Sequence, residues 1–78
     1  ELADGISIFE IRPLDSWVGK SIKDLNIRRV YGISIIALKN KGGHMKFMPG
    51  ADYVVERDIH LMVIGNQEDA EKIVKKLS

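Results

Sequence analysis

The chain has 78 residues, a net charge of +1 and no cysteine, which excludes disulfides and cysteine-ligated zinc or iron–sulfur centres and fits a reducing compartment. Its 45% hydrophobic and 29% charged residues are those of a folded domain, not a disordered tail. No apolar run approaches the roughly 20 residues a membrane helix needs, and no basic-then-apolar signal opens the chain.

A domain of this length buries only about 60% of its unfolded surface, so a second copy would reinforce a modest stability. The sequence starts at Glu1 without a methionine, and residues 1–78 are expected to be a single domain taken from a longer protein.

Ile6 to Ile11 is rich in β-formers and stops at Arg12-Pro13, since proline cannot donate to a ladder; it is the first predicted strand. A turn follows, and Trp17, the single tryptophan, is expected to anchor the core. Ser21 is a good helix N-cap with Asp24 three residues on, in an acidic variant of the capping box. One short helix is predicted from there, running out at Arg28-Arg29. Gly32 gives a permissive backbone before the apolar run Ile33 to Leu38, a strand that should be covered on both faces.

Asn40-Lys41-Gly42-Gly43 predicts a tight hairpin into a short strand around His44 to Met48, ended by Pro49-Gly50. Ala51 to Val55 reads as a further extended piece, with Glu56-Arg57-Asp58 as a turn. Ile59 to Ile64 is the last predicted strand, with Ile59, Leu61 and Val63 on one face. Asn66 then caps a helix whose Ala70, Ile73, Val74 and Leu77 form one apolar stripe, with Glu68–Lys72 and Glu71–Lys75 as exposed pairs.

Between Arg12 and Lys46 stand eight basic and two acidic residues, whereas the flanks carry four basic and nine acidic ones. This asymmetry suits a small anionic ligand better than a nucleic-acid groove, because the five aromatic residues are scattered and offer no stacking platform. Catalytic patterns are missing. His44 and His60 are sixteen residues apart and match no ligand spacing, no serine sits in a nucleophile elbow, and Gly42-Gly43 precedes a strand and not a helix. The expectation is therefore no catalytic residue, no metal and no enzyme.

Val18-Gly19-Lys20-Ser21-Ile22, Leu25-Asn26-Ile27-Arg28, Gly32 to Leu38, Pro49, Asp58 and Leu61 to Gly65, in that order and at those distances, resemble the TrkA-C domain, also called RCK_C. The likeness covers almost the whole chain and departs at Arg57, where the family usually has glycine. It implies an α+β fold: a small, mainly antiparallel sheet with two helices packed on it, in a dimer. It also implies a cytoplasmic regulatory domain of a potassium or other cation transport system, peripheral to the membrane through its transporter. The implied partners are a second copy and a membrane subunit or covalently linked membrane domain, with no nucleic acid.

In one branch of that family the ligand is cyclic di-AMP, bound at the dimer interface with no further cofactor. Carried onto this chain, Ile22 and Ile27 are the aliphatic positions, Arg28 the phosphate-contacting arginine and Pro49 the floor of the site. Backbone groups near Ile35 would read base edges, and Ser34 stands where that branch often has asparagine, a longer side chain with more donors. Two alternatives stay open: a structural dimerisation module, in which these isoleucines are ordinary core and Arg28 a surface charge, and a small amino-acid-binding module.

Overall fold

The structure, a computed structural model, describes residues 4–77, with the side chain of Leu77 outside the description. Four strands form one sheet: β1 (Ile6–Ile11), β2 (Ile33–Lys39), β3 (Met45–Phe47) and β4 (His60–Asn66). Their order is β1-β4-β2-β3, with every neighbouring pair antiparallel. Three α-helical segments, α1 (Ile22–Leu25), α2 (Ile27–Tyr31) and α3 (Gln67–Leu77), complete it, with a 3₁₀ turn at Asp15–Trp17. The expected α+β class and antiparallel sheet are both present.

Trp17 is fully buried, with its ring edge-on to Tyr31 at 5.1 Å between centroids. Around it Ile11, Leu14, Ile33, Leu38, Val55, Leu61, Val63 and Ile73 form one cluster. Complete burial of such aliphatic side chains stabilises by about 1.5–3 kcal/mol each, so this cluster sets the fold. β4 carries the alternation that the sequence predicts, Leu61 and Val63 inward and His60, Met62 and Ile64 outward.

The helices lie on the inward face. On the opposite face Ile8 remains 45% and Phe47 71% exposed, so the second cover expected for β2 is not supplied by a helix among the described residues.

The single helix predicted from Ser21 is in fact two. Asn26 takes a left-handed conformation, φ 51° and ψ 45°, which asparagine tolerates better than most residues. Its N–H donates to the carbonyls of Ile22 and Lys23, closing α1, and its carbonyl accepts from Arg29 and Val30, opening α2. Ser21 does cap α1, accepting from the Asp24 N–H at 3.1 Å. Segments this short do not hold alone, and α1 is held by the chain around Val55. Gly19 and Ile22 donate to the carbonyls of Val55 and Tyr53, Lys23 to that of Ala51, and Val55 to that of Lys20. The stretch predicted as extended from Ala51 is thus mostly loop, with one bridge between Ser21 and Val54.

β2 contains a bulge the sequence does not announce. Ile35 pairs with Val63 and Ala37 with Met62, leaving Ile36 between them and returning Leu38 to the core side opposite Leu61. The hairpin forms as predicted: Asn40 exchanges backbone bonds with His44 and Gly43, its side chain accepts from the His44 N–H, and Gly43 takes φ +84°. Arg57 makes its turn without a positive φ and instead donates to Asp15 at 3.0 Å.

Asn66 accepts from the Asp69 N–H at 2.8 Å, as a cap should. In α3, Ala70 and Ile73 are buried while Val74 is half exposed; the stripe's last predicted member, Leu77, lies outside the described side chains. The predicted Glu71–Lys75 pair is replaced by a bond from the Gln67 amide to Glu71 at 3.1 Å. A Cβ on Gly65 would fall 2.8 Å from the Ile33 side chain and 3.1 Å from the Gly32 carbonyl, so this close approach of β4 to the start of β2 needs glycine.

Candidate functional site

All six predicted site residues, Ile22, Ile27, Arg28, Ser34, Ile35 and Pro49, line one cleft of about 420 Å³. The break at Asn26 is what brings Ile22, Ile27 and Arg28 together. At 3.6 residues per turn, positions five apart on a continuous helix lie about 140° apart, so Ile22 and Ile27 would face different ways. With a left-handed residue between them, both reach the same hollow. Ile27 is 3% exposed and belongs to the core as well, so it forms the floor, while Ile22 is half-buried and presents more of its surface.

The opposite wall is fixed by backbone. Met48 takes φ 51° and donates to the Ile36 carbonyl at 2.8 Å, which turns Pro49 toward the cleft. The N–H groups of Ile22 and Lys23 are committed to Tyr53 and Ala51, so the start of α1 has none of these to offer an anion. β3 pairs with β2 only along Ala37 to Lys39, leaving the edge of β2 at Ser34 and Ile35 without a strand partner on that side.

Sequence reasoning missed Lys23, Asn26, Ile33 and Ala51, which also line the cleft. Lys23 was legible only as one basic residue among eight; the structure puts it on the same cleft as Arg28. No carboxylate is among the lining residues, so Lys23 and Arg28 give the cleft a positive field. Arg28 is exposed, and its guanidinium has no ion pair among the described residues.

Ionisation is perturbed elsewhere. Glu10, on the outward face, is held below the ordinary carboxylate range by a hydrogen bond with His60, 2.9 Å away, and by the Lys39 ammonium at 3.5 Å. Partial burial, then Glu56, raises Tyr53. Among the described residues no group of three or more His, Asp or Glu stands close enough to hold a metal ion, and no helix is long and apolar enough to cross a membrane.

The chain is 34% identical over 77 residues to the Ktr system potassium uptake protein C of Bacillus subtilis (strain 168), covering 99% of itself but only 34% of that protein. The RCK C domain of the potassium transport protein KtrA, solved in complex with cyclic di-AMP, superposes with a TM-score of 0.80 at 38% identity, over 95% of this chain and 86% of that one. The RCK_C domain dimer of S. agalactiae BusR in complex with cyclic di-AMP superposes at 0.76 and 25% identity, over 90% and 93% of the two chains. BusR has also been solved with its busAB promoter DNA, where the match spans 35% of its chain. The TrkA-C domain model matches residues 6–78, and the chain belongs to that family.

Proposed function

We propose that this chain is the regulatory ligand-binding domain of a potassium or other cation transport system, and that two copies of it hold one molecule of cyclic di-AMP. One observation carries the reading: the six positions assigned from the sequence, scattered from Ile22 to Pro49, converge on a single cleft lined by two cations and no acid. Its supports are the Ktr relative and the two RCK_C domains solved with cyclic di-AMP.

In this reading Arg28 donates to a phosphate, and the two-fold symmetry of the ligand lets both copies of Arg28 do so at once. Ile22, Ile27 and Pro49 give each base an apolar surface, and the unpaired edge of β2 at Ile35 reads its polar rim. Ser34 adds one hydroxyl. Binding favours the subunit arrangement that fits the ligand, and that preference biases the attached gate on the cytoplasmic side of the membrane. No residue is assigned a catalytic role, and no cofactor other than the ligand is invoked.

The BusR complex with promoter DNA favours one further host for the same sensor, a DNA-binding regulator, in which a separate part of the longer protein would contact the nucleic acid.

Thermal unfolding tests the proposal. Cyclic di-AMP at 100 times its dissociation constant adds about 2.7 kcal/mol, which raises the midpoint of a domain this size by about ten degrees. ATP and single amino acids should not match it at the same concentration. No shift with cyclic di-AMP from a dimeric sample would leave only a structural dimerisation module, and a shift with an amino acid alone would move the reading to that ligand class.

A further inference from the structure

The basic residues of the central stretch do not all gather at the cleft. Lys23 and Arg28 line it, but Arg12, Lys39 and Lys41 line a second and larger hollow, about 1110 Å³, at the other end of β2. Arg57 and Lys76 join them from the acidic flanks. The end of β1, the β2–β3 hairpin, the loop before β4 and the last turn of α3 thus bring five cations to one concavity.

Its floor is apolar, since Pro13, Leu14 and Ile59 line it and are buried. Tyr31 forms part of the wall, with the Lys76 ammonium 5.4 Å from its ring centroid.

Opposing charges are fewer. Asp15 and Asp58 are the two carboxylates among the lining residues, which leaves a formal charge of +3. Asp15 is already engaged by Arg57 at 3.0 Å, and Lys39 and His60 are both engaged by Glu10. Arg12 and Lys41 are exposed and have no ion pair among the described residues. Isolated surface cations contribute little, but several on a concave wall over an apolar floor focus a field that Asp15, Asp58 and the neighbouring Glu10 offset only in part.

We propose that this hollow is a second anion site, distinct from the cleft, and that it takes a polyphosphate group. Three or four negative charges in a compact chain match the +3 of the walls, which a single carboxylate or monophosphate would not. The apolar floor and Tyr31 leave room for a base, so the polyphosphate could belong to a nucleoside triphosphate or stand alone. The site stands on Arg12, Lys41 and Lys76 and does not depend on what the cleft binds.

Titration of the 78-residue chain with inorganic triphosphate, and separately with ATP, followed by amide resonances at low salt, tests this. The expected result is a saturable shift confined to Arg12, Lys41, Gly43 and Lys76, weakened at least about tenfold in the Arg12→Ala/Lys41→Ala double variant and unchanged in Arg28→Ala. Both replaced residues are exposed, and the dispersion of the double variant's own spectrum reports that it is folded. Equal affinity for the two probes identifies the phosphates alone as the ligand; tighter ATP binding, with shifts extending to Tyr31, identifies a nucleotide. Shifts centred on Lys23 and Arg28, a response that never saturates and spreads over all lysines, or full affinity in the double variant would overturn the proposal.

Discussion

The cleft and the larger hollow lie at opposite ends of β2, and they are built in different ways. The cleft comes almost entirely from one continuous stretch, Ile22 to Ile35, closed by Pro49 and Ala51 and tied by backbone bonds from Lys23 to Ala51 and Ile22 to Tyr53. The hollow is assembled from segments distant in sequence, with side-chain ion pairs such as Arg57–Asp15 joining its walls. A site held by backbone is pre-organised, so little ordering cost is left for its ligand; one held by exposed side chains stays adjustable and sensitive to salt. By that contrast a ligand at the cleft would be selected by shape, and one at the hollow first by charge.

The largest effect would break both regions together. Trp17 is the largest fully buried side chain, and its ring partner Tyr31 lines the hollow, while its cluster mate Ile27 floors the cleft. Trp17→Ala should cost about 3–5 kcal/mol, read from the urea midpoint, and abolish binding at both ends through unfolding.

Arg28→Ala separates the two. A hydrogen bond to a charged group contributes about 1.5–3 kcal/mol, and the dimer would lose two, so affinity for cyclic di-AMP should fall at least about a hundredfold in calorimetry. The unliganded midpoint should stay put, because Arg28 is exposed and unpaired among the described residues.

Lys23→Ala probes the cleft's second cation, which comes from the segment before the break at Asn26. Loss of one flexible cation should weaken cyclic di-AMP about three- to tenfold and flatten the salt dependence of binding. If Lys23→Ala were as damaging as Arg28→Ala, the account of a single phosphate-contacting arginine would need revision.

The smallest effect concerns Glu10, which holds His60 and Lys39 at the edge of the hollow. Its carboxyl is depressed in the folded state, first by the His60 hydrogen bond and then by Lys39. A depressed carboxyl contributes stability that is present above the unfolded value and lost as pH falls through the folded one. Stability should therefore decline as pH drops below about 4.5, its ordinary value, and Glu10→Gln should flatten that part of the curve in pH-dependent unfolding. The same variant releases Lys39 and should slightly strengthen triphosphate binding at the hollow.

Much of this was legible from residue order. The limits of β1, the burial of Trp17, the caps at Ser21 and Asn66 and the hairpin at Asn40 each follow from a local rule, and each is present. The six positions at the cleft were legible because family likeness and a nearly contiguous stretch point the same way. The left-handed Asn26 was not, because asparagine inside a helix and asparagine between two helices read alike until the packing around them is known. The bulge at Ile36 was hidden for a similar reason: within the aliphatic run Ile35 to Leu38 no residue marks a change of phase. The hollow was the least legible, since Arg12, Lys41, Arg57 and Lys76 meet only once the sheet and α3 are in place.

The most direct test of the central claim is the stoichiometry of cyclic di-AMP binding, measured by titration calorimetry alongside sedimentation of the same sample. One ligand for every two chains, dimers in both states and no detectable heat for Arg28→Ala are the expected results. One ligand per chain, or heat unchanged in Arg28→Ala, would contradict a two-fold site built around that arginine.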